Sequence, residues 1–168
     1  KMCVRLRAIE PTDIEMMYSL ENDPELWAMG CTTVPYSRHA LQQFIEQSAG
    51  DIYADRQVRL VIEADGEPVG CADLYDVDAR NLRGEIAVAV LPQHRGHGIG
   101  QVAVRQLVDY ASRHLGLHTL TCITAASNHA MLSAARHAGF TECGTLRDWL
   151  RIDGSPHDAV VLQFIPKK

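Results

Sequence analysis

The stretch that most constrains this chain is PQHRGHGIGQ, residues 92–101. It joins an apolar run, EIAVAVL at 85–91, to a long segment with helical spacing at 98–115, whose apolar residues are Ile99, Val102, Ala103, Leu107, Val108 and Ala111. A run apolar on both faces reads as a central strand covered on both sides. A helix that starts directly behind such a strand presents unpaired N–H groups and a partial positive charge at its entrance, which suits an anion. Glycines at alternate positions let that anion approach the backbone closely. Arg95 adds a cation, with His94 and His97 beside it. The expected guest is a phosphate or pyrophosphate.

Three familiar phosphate loops do not fit. The nucleoside-triphosphate loop requires GK[ST] at its end, where this chain has Gly100-Gln101. GHGIG departs from the dinucleotide fingerprint GxGxxG, and no acidic ribose-binding residue follows at the expected distance. A protein-kinase loop belongs to a far longer chain than 168 residues.

The rest of the chain supplies alternating strands and helices. Residues 4–8 alternate as a half-buried strand, and Thr12 with Glu15 reads as a capping box before a stripe of Ile14, Met17, Tyr18 and Leu20. Ser37 caps a second helix bearing Leu41, Phe44 and Ile45. Between them lies DPELWAMGCTTVPY, expected to be irregular and unusually apolar for a loop. Such a segment lines a binding site or is a half-buried connection, and Trp27 and Tyr36 are its candidates for the acceptor side. Residues 57–64 and the following EPVGCADLY form two strands about Asp65-Gly66. A strand at 118–124 leads to a helix at 128–138 closed by Gly139, and a hairpin turning at Asp153-Gly154-Ser155-Pro156 ends the sequence. The order β-α-α-β-β-β-α-β-α-β-β implies one α/β domain over 1–168 with a mixed sheet.

Composition excludes several classes. A net charge of −5 argues against general nucleic-acid binding and mildly favours cationic ligands. The five cysteines are dispersed with no CxxC pair, and His114 and His118 do not form a zinc pair, so neither a disulfide framework nor a metal site is expected. Scattered free thiols, no leader and no membrane-length apolar run lead to the expectation of a cytoplasmic protein without membrane association.

With these features the sequence resembles the GNAT superfamily of acetyl-coenzyme A dependent N-acetyltransferases. The family's [RQ]-x-x-G-x-[GA] loop reads here Arg95-Gly96-His97-Gly98-Ile99-Gly100, and Asn128 with Ala138-Gly139-Phe140 is similar to the family's landmarks around the last helix. The resemblance spans nearly the whole chain. It is greatest to the branch holding spermidine and ribosomal-protein N-acetyltransferases. It implies a mixed, mostly antiparallel sheet flanked by helices with splayed central strands, and acetyl-CoA as cosubstrate. It also implies that the backbone of Val88, Ala89 and Val90 pairs with the pantetheine arm, that residues 95–100 hold the pyrophosphate, and that Asn128 and Arg136 lie along the coenzyme. Asn128 equally reads as a helix N-cap. The implied partners are a small-molecule amine or a peptide N-terminus, and further copies of the chain in a homo-oligomer.

A thioester is attacked by a neutral amine. An alkylamine with a pKa near 10.4 is protonated at pH 7, and restriction to the neutral form costs about 4–5 kcal/mol at 1.36 per unit. The site therefore needs a proton acceptor. Glu85 is the candidate, since a carboxylate opening an apolar central strand is costly without a role or a partner; the alternative is a solvated strand-end residue paired with Arg83. Asp73, Asp76 and Asp78 are acidic, as their counterparts are in the spermidine enzymes, and could draw in a cation; the alternative is a polar turn. Two departures from the family pattern stand out, the first against a strict spermidine reading and the second bearing on catalysis. Cys31, Thr32, Thr33 and Val34 replace the acidic residues that precede the family's Pro-Tyr. Ala135 replaces the tyrosine commonly taken as the general acid, so water is expected to protonate the thiolate, and Ala135→Tyr to raise the rate if the hydroxyl fits. Alternatively, the chain is a non-catalytic acyl-CoA binding or sensor module.

Overall fold

In a computed structural model, which describes residues 1–29 and 34–167, the seven expected strands occur in the expected order. They are β1 (Val4–Arg7), β2 (Val58–Ala64), β3 (Glu67–Asp78), β4 (Arg83–Val90), β5 (Thr119–Ala125), β6 (Thr141–Ile152) and β7 (Ser155–Phe164). They form one sheet ordered β1-β2-β3-β4-β5-β7-β6. Only β4 and β5 run parallel; the other neighbours are antiparallel.

Helices cover both faces, as the apolar runs require. On one face lie α5 (Ile99–Asp109), continued by a π-turn at Tyr110–His114, and α6 (His129–His137). Ile99, Ala103, Val104, Leu107 and Val108 of α5 pack with Leu132, Ala134 and Ala135 of α6 onto Ile62, Leu74, Ile86, Leu120 and Leu162 of the sheet. On the other face, α1 (Ile14–Glu21) and α3 (Arg38–Glu46) bury Met16, Met17, Leu20 and Leu41 against Val61, Cys71 and Leu91.

The departures from expectation are local. The segment 24–29 is helical, α2 (Pro24–Met29), because Asp23 and Pro24 start a turn: Asp23 Oδ1 accepts the Glu25 N–H at 3.1 Å. A fourth short helix, α4 (Ile52–Asp55), begins at Asp51, whose side chain accepts the Tyr53 N–H. The Thr12–Glu15 capping box does not form. Asp13 accepts the Glu10 N–H at 2.7 Å and pairs with Arg7, while Glu15 pairs with Arg38. The closing hairpin turns over two residues rather than four, since Ile152 pairs with Ser155 and Asp153 and Gly154 both take positive φ. Cys31, Thr32 and Thr33 lie outside the described residues.

Candidate active site

β4 and β5 pair only at Arg83–Thr119, Gly84–Leu120 and Glu85–Thr121, and diverge beyond Glu85. The Leu91 N–H donates to Val69 on the β3 side at 2.8 Å. The two-residue alternation of an antiparallel ladder then turns the N–H and C=O of Val88 and Val90 away from β3; Arg95 takes the Val90 carbonyl, so the Val90 N–H and both groups of Val88 face the gap. Ala89 points its backbone to β3 and its side chain to the α1–α3 face. Of the three residues expected along the pantetheine arm, two thus offer backbone groups to the gap.

The glycine loop lies at the end of this gap. Gly98 stands at the N-terminal cap of α5 with φ 77° and no side chain caps the helix, so the N–H groups of Ile99, Gly100 and Gln101 have no intrahelical partner. The Ile99 side chain is buried and anchors the helix start, while Gly96, His97 and Gly98 are exposed. A Cβ on Gly96 or Gly98 would meet no protein atom within 4 Å. The room in front of the helix end is open space, wide enough for an anion to reach the backbone.

Arg95 differs from the expectation of a cation facing the anion. Its Nε donates to the Val90 carbonyl at 2.9 Å, Nη2 to Asp23 Oδ2 at 2.9 Å and Nη1 to Glu25 Oε2 at 2.5 Å. Both terminal nitrogens are engaged by carboxylates of the α2 entrance. Asn128 caps α6, accepting the Met131 N–H at 3.2 Å and donating to Thr124 Oγ1 at 3.1 Å, as its alternative reading required. Arg136 is exposed and paired with Glu142.

Glu85 lies where the two strands part. Ile86, Val88 and Val90 pack on the α5–α6 side, so Glu85, Ala87 and Ala89 face α1 and α3. Tyr75 is directly opposite Glu85 and Asp73 opposite Ala87 on β3, and both share that face with Cys71. Arg83 pairs with Asp78 at 3.4 Å, so the expected alternative partner of Glu85 is engaged elsewhere. Among the described residues, the half-buried Glu85 makes no hydrogen bond or ion pair, a costly state for a carboxylate without a function.

Beside it opens a cleft of about 330 Å³ lined by Tyr36, Leu41, Phe44, Arg59, Asp73 and Tyr75 among others. The sequence reading missed Arg59. Its Nε and Nη2 donate to the Asp73 carboxylate at 2.8 and 3.0 Å, and Nη1 donates to Glu21. Burial opposes its charge, but Asp73 and Glu21 outweigh that and raise its pKa. Arg59 is thus held between Asp73, which lines the cleft, and Glu21, which lies behind it. Only an unexpectedly polar residue in the strand QVRLVIEA hinted at Arg59; without the register to Asp73 that hint has no meaning.

The acidic group expected on β3 divides. Asp73 lines the cleft, whereas a bulge puts Asp76 on the exposed side with φ 48°, and Asp78 caps the following turn through the Arg80 and Asn81 N–H groups. Tyr36 is held in place by Asn22, which accepts its N–H at 2.9 Å and donates to its carbonyl at 3.0 Å. Trp27 donates its indole N–H to the Glu21 carbonyl at 2.6 Å; it braces the cleft's rear rather than lining it. A larger cleft, about 550 Å³ between α3, α4 and β2, shares Phe44 and Arg59 with it; neither cleft is lined by Glu85 or the glycine loop, and Asp73 and Tyr75 line only the smaller one.

Ala135 is fully buried in the core cluster of α5, α6 and the sheet, so a tyrosine there would have to displace core neighbours. Ser133, two residues earlier, is on the exposed side of α6 beside His137, and the thiol of the buried Cys122 on β5 is pushed up to about 12 by burial and the Glu85 charge.

The strand gap, a helix entrance with no side-chain cap and a carboxylate with no partner, each read among the described residues, lie together along β4 and its exit. The family model of the acetyltransferase (GNAT) domain matches residues 4–141. The chain belongs to this acetyltransferase family. Spermidine N(1)-acetyltransferase of Escherichia coli is 26% identical over 163 residues, covering 94% of this chain and 83% of that protein. A Bacillus subtilis protein named provisionally as a ribosomal N-acetyltransferase is 27% identical over 170 residues, covering 98% and 92%. The fold matches that of the Vibrio cholerae spermidine N-acetyltransferase crystallised with CoA and spermine at a TM-score of 0.85 and 23% identity, over 96% of this chain and 95% of that one. The chain is accordingly an acetyl-CoA dependent acetyltransferase. Among the described residues, no helix is long and apolar enough to cross a membrane, and no cluster of His, Cys, Asp and Glu is placed to hold a metal ion.

Proposed function

We propose that this enzyme acetylates the primary amine of a small polycation such as spermidine, with Glu85 as the proton acceptor. The observation that carries the reading is Glu85, which has no partner among the described residues, stands where the strand gap opens, and lies opposite Tyr75, a wall of the cleft that also holds Asp73. The coenzyme pyrophosphate sits on the N–H groups of 99–101, with Gly96, His97 and Gly98 giving it access, and the thioester arm lies along Val88 and Val90. Asn128 and Arg136 flank its far portion. The ammonium group gives up its proton to Glu85, directly or through water, and the nitrogen attacks the acetyl carbon. A backbone N–H of the gap holds the oxyanion. The C–S bond then breaks, and the second proton that the nitrogen sheds on becoming an amide passes to water or to the departing thiolate, whose pKa near 8.5 requires no strong acid, which suits a site with Ala135 in place of tyrosine. Asp73 and Tyr36 contact the chain of the amine; Asp76 at the bulge contributes long-range attraction only.

The similarity to spermidine N(1)-acetyltransferase supports the polyamine, and the likeness to the ribosomal relative makes a peptide N-terminus the competing acceptor. The whole chain, 1–168, acts as one domain. We also read it as a cytoplasmic homo-oligomer, because β6 is exposed along most of its length and Trp149 on it is 59% exposed. Thiol release from acetyl-CoA across polyamines, aminosugars, amino acids and N-terminal peptides tests the proposal. Turnover greatest with polyamines supports it, turnover confined to peptides transfers the site to N-terminal acetylation, and silence with tight coenzyme binding favours the binding module.

A further inference from the structure

The Arg95 side chain occupies an unusual position for a residue that opens an anion loop. Its guanidinium is fixed by the Val90 carbonyl behind it and by Asp23 and Glu25 in front. Asp23 is the inner partner, with only 9% of its side chain exposed, whereas Glu25 is 74% exposed. Asp23 also begins α2: its Oδ1 accepts the Glu25 N–H, and its carbonyl accepts the Trp27 N–H at 3.1 Å. The Trp27 indole is bonded in turn to the Glu21 carbonyl, and the Glu21 carboxylate holds Arg59 at the acceptor cleft. A continuous polar chain therefore runs from the coenzyme loop, through the start of α2, to the wall of the amine cleft.

We infer that Asp23 is a positioning residue for coenzyme A: by fixing Arg95 it sets the loop that leads into Gly96–Gly98, and Arg95 acts through this geometry rather than as a phosphate-binding cation. The two roles predict effects of opposite sign. Were Arg95 a cation for the pyrophosphate, Asp23 would be a competing anion, and its neutralisation would strengthen coenzyme binding. As the clamp that orients the loop, its loss weakens binding. The pair is in direct contact, so the effects of removing either partner should not add.

The test is calorimetry of coenzyme A binding to the full chain as wild type, Asp23→Asn, Arg95→Gln and the double variant, with thermal denaturation of each. Each single change is expected to lower affinity roughly tenfold, the double variant to be little weaker than either single one, and Asp23→Glu to restore most of the loss. Tighter binding by Asp23→Asn, or full additivity in the double variant, overturns the inference. Should Asp23→Asn fold poorly, the exposed Glu25→Gln paired with Arg95→Gln makes the same cycle with the same signs. The inference rests on the glycine loop being the coenzyme site. A wild type with no affinity for coenzyme A removes both, whereas a wild type that binds beside an Asp23→Asn that binds more tightly removes only the positioning role.

Discussion

Replacing Gly98 by valine separates the two things that residue does. Its φ of 77° is a conformation that costs an L residue roughly 1–2 kcal/mol. A Cβ there meets no protein atom within 4 Å, so the fold charges nothing further for space. Gly116, beyond the far end of the same helical stretch, has a φ of 71° and is equally open, so Gly116→Val carries the same backbone strain without touching the loop. Both variants should lose similar stability, read in thermal denaturation as a few degrees at about 2–4 °C per kcal/mol for a chain of this size. Only Gly98→Val puts methyl groups where the pyrophosphate must reach the N–H groups of 99–101. Its coenzyme A affinity should fall at least tenfold, about 1.4 kcal/mol, by calorimetry. Equal affinity in a folded Gly98→Val, or an equal loss in Gly116→Val, would refute the assignment of the loop.

Two other consequences concern stability and reactivity. Asp13 is 1% exposed and fixed by Arg7, which holds its carboxyl below the usual carboxylate range; Asp13→Ala should destabilise the fold by roughly 1.5–3 kcal/mol in chemical denaturation, because it removes the charge-assisted bonds to Arg7 and to the Glu10 N–H while Glu63 keeps Arg7 paired. A carboxyl lowered on folding contributes stability above its unfolded pKa, near 3.9, and loses it as pH falls through the folded value, so wild type should weaken in acid below about pH 4 and Asp13→Ala less steeply. Burial pushes the Cys71 and Cys122 thiols up to about 12, while Cys3 and Cys143 are exposed; alkylation of the native protein at pH 8, mapped by mass spectrometry, should label Cys3 and Cys143 and spare Cys71 and Cys122.

The order of the strands and main helices was legible because their signals are local: β4 is apolar on both faces, α5 carries a single apolar stripe, and Asp65-Gly66 and Gly139 mark the points where the chain turns or a helix stops. The glycine loop and Glu85 were legible for the same reason, since each is anomalous in its own short segment. What the sequence concealed depends on register and packing. Nothing near Arg95 announces that Asp23 and Glu25, some seventy positions earlier, engage its guanidinium, and nothing near Asp73 announces Arg59. The three aspartates on β3 look equivalent until the bulge after Tyr75 sends them apart. Helix α2 was obscured by apolar composition that resembles a buried connection. The place of the family's tyrosine was countable from Asn128, but that Ala135 is fully buried in the core emerges only from the packing of α6.

The measurement that bears most directly on the site is single-turnover acetyl transfer by wild type and Glu85→Gln, with spermidine as the first amine and coenzyme A affinity measured in parallel. Glu85→Gln keeps the shape of a side chain that makes no hydrogen bond among the described residues, and removes the proton acceptor. The account predicts a fall in rate of roughly 10²–10⁴, with coenzyme A affinity unchanged. Wild-type turnover by Glu85→Gln on an amine the enzyme acetylates would contradict it and reduce Glu85 to a residue of the strand.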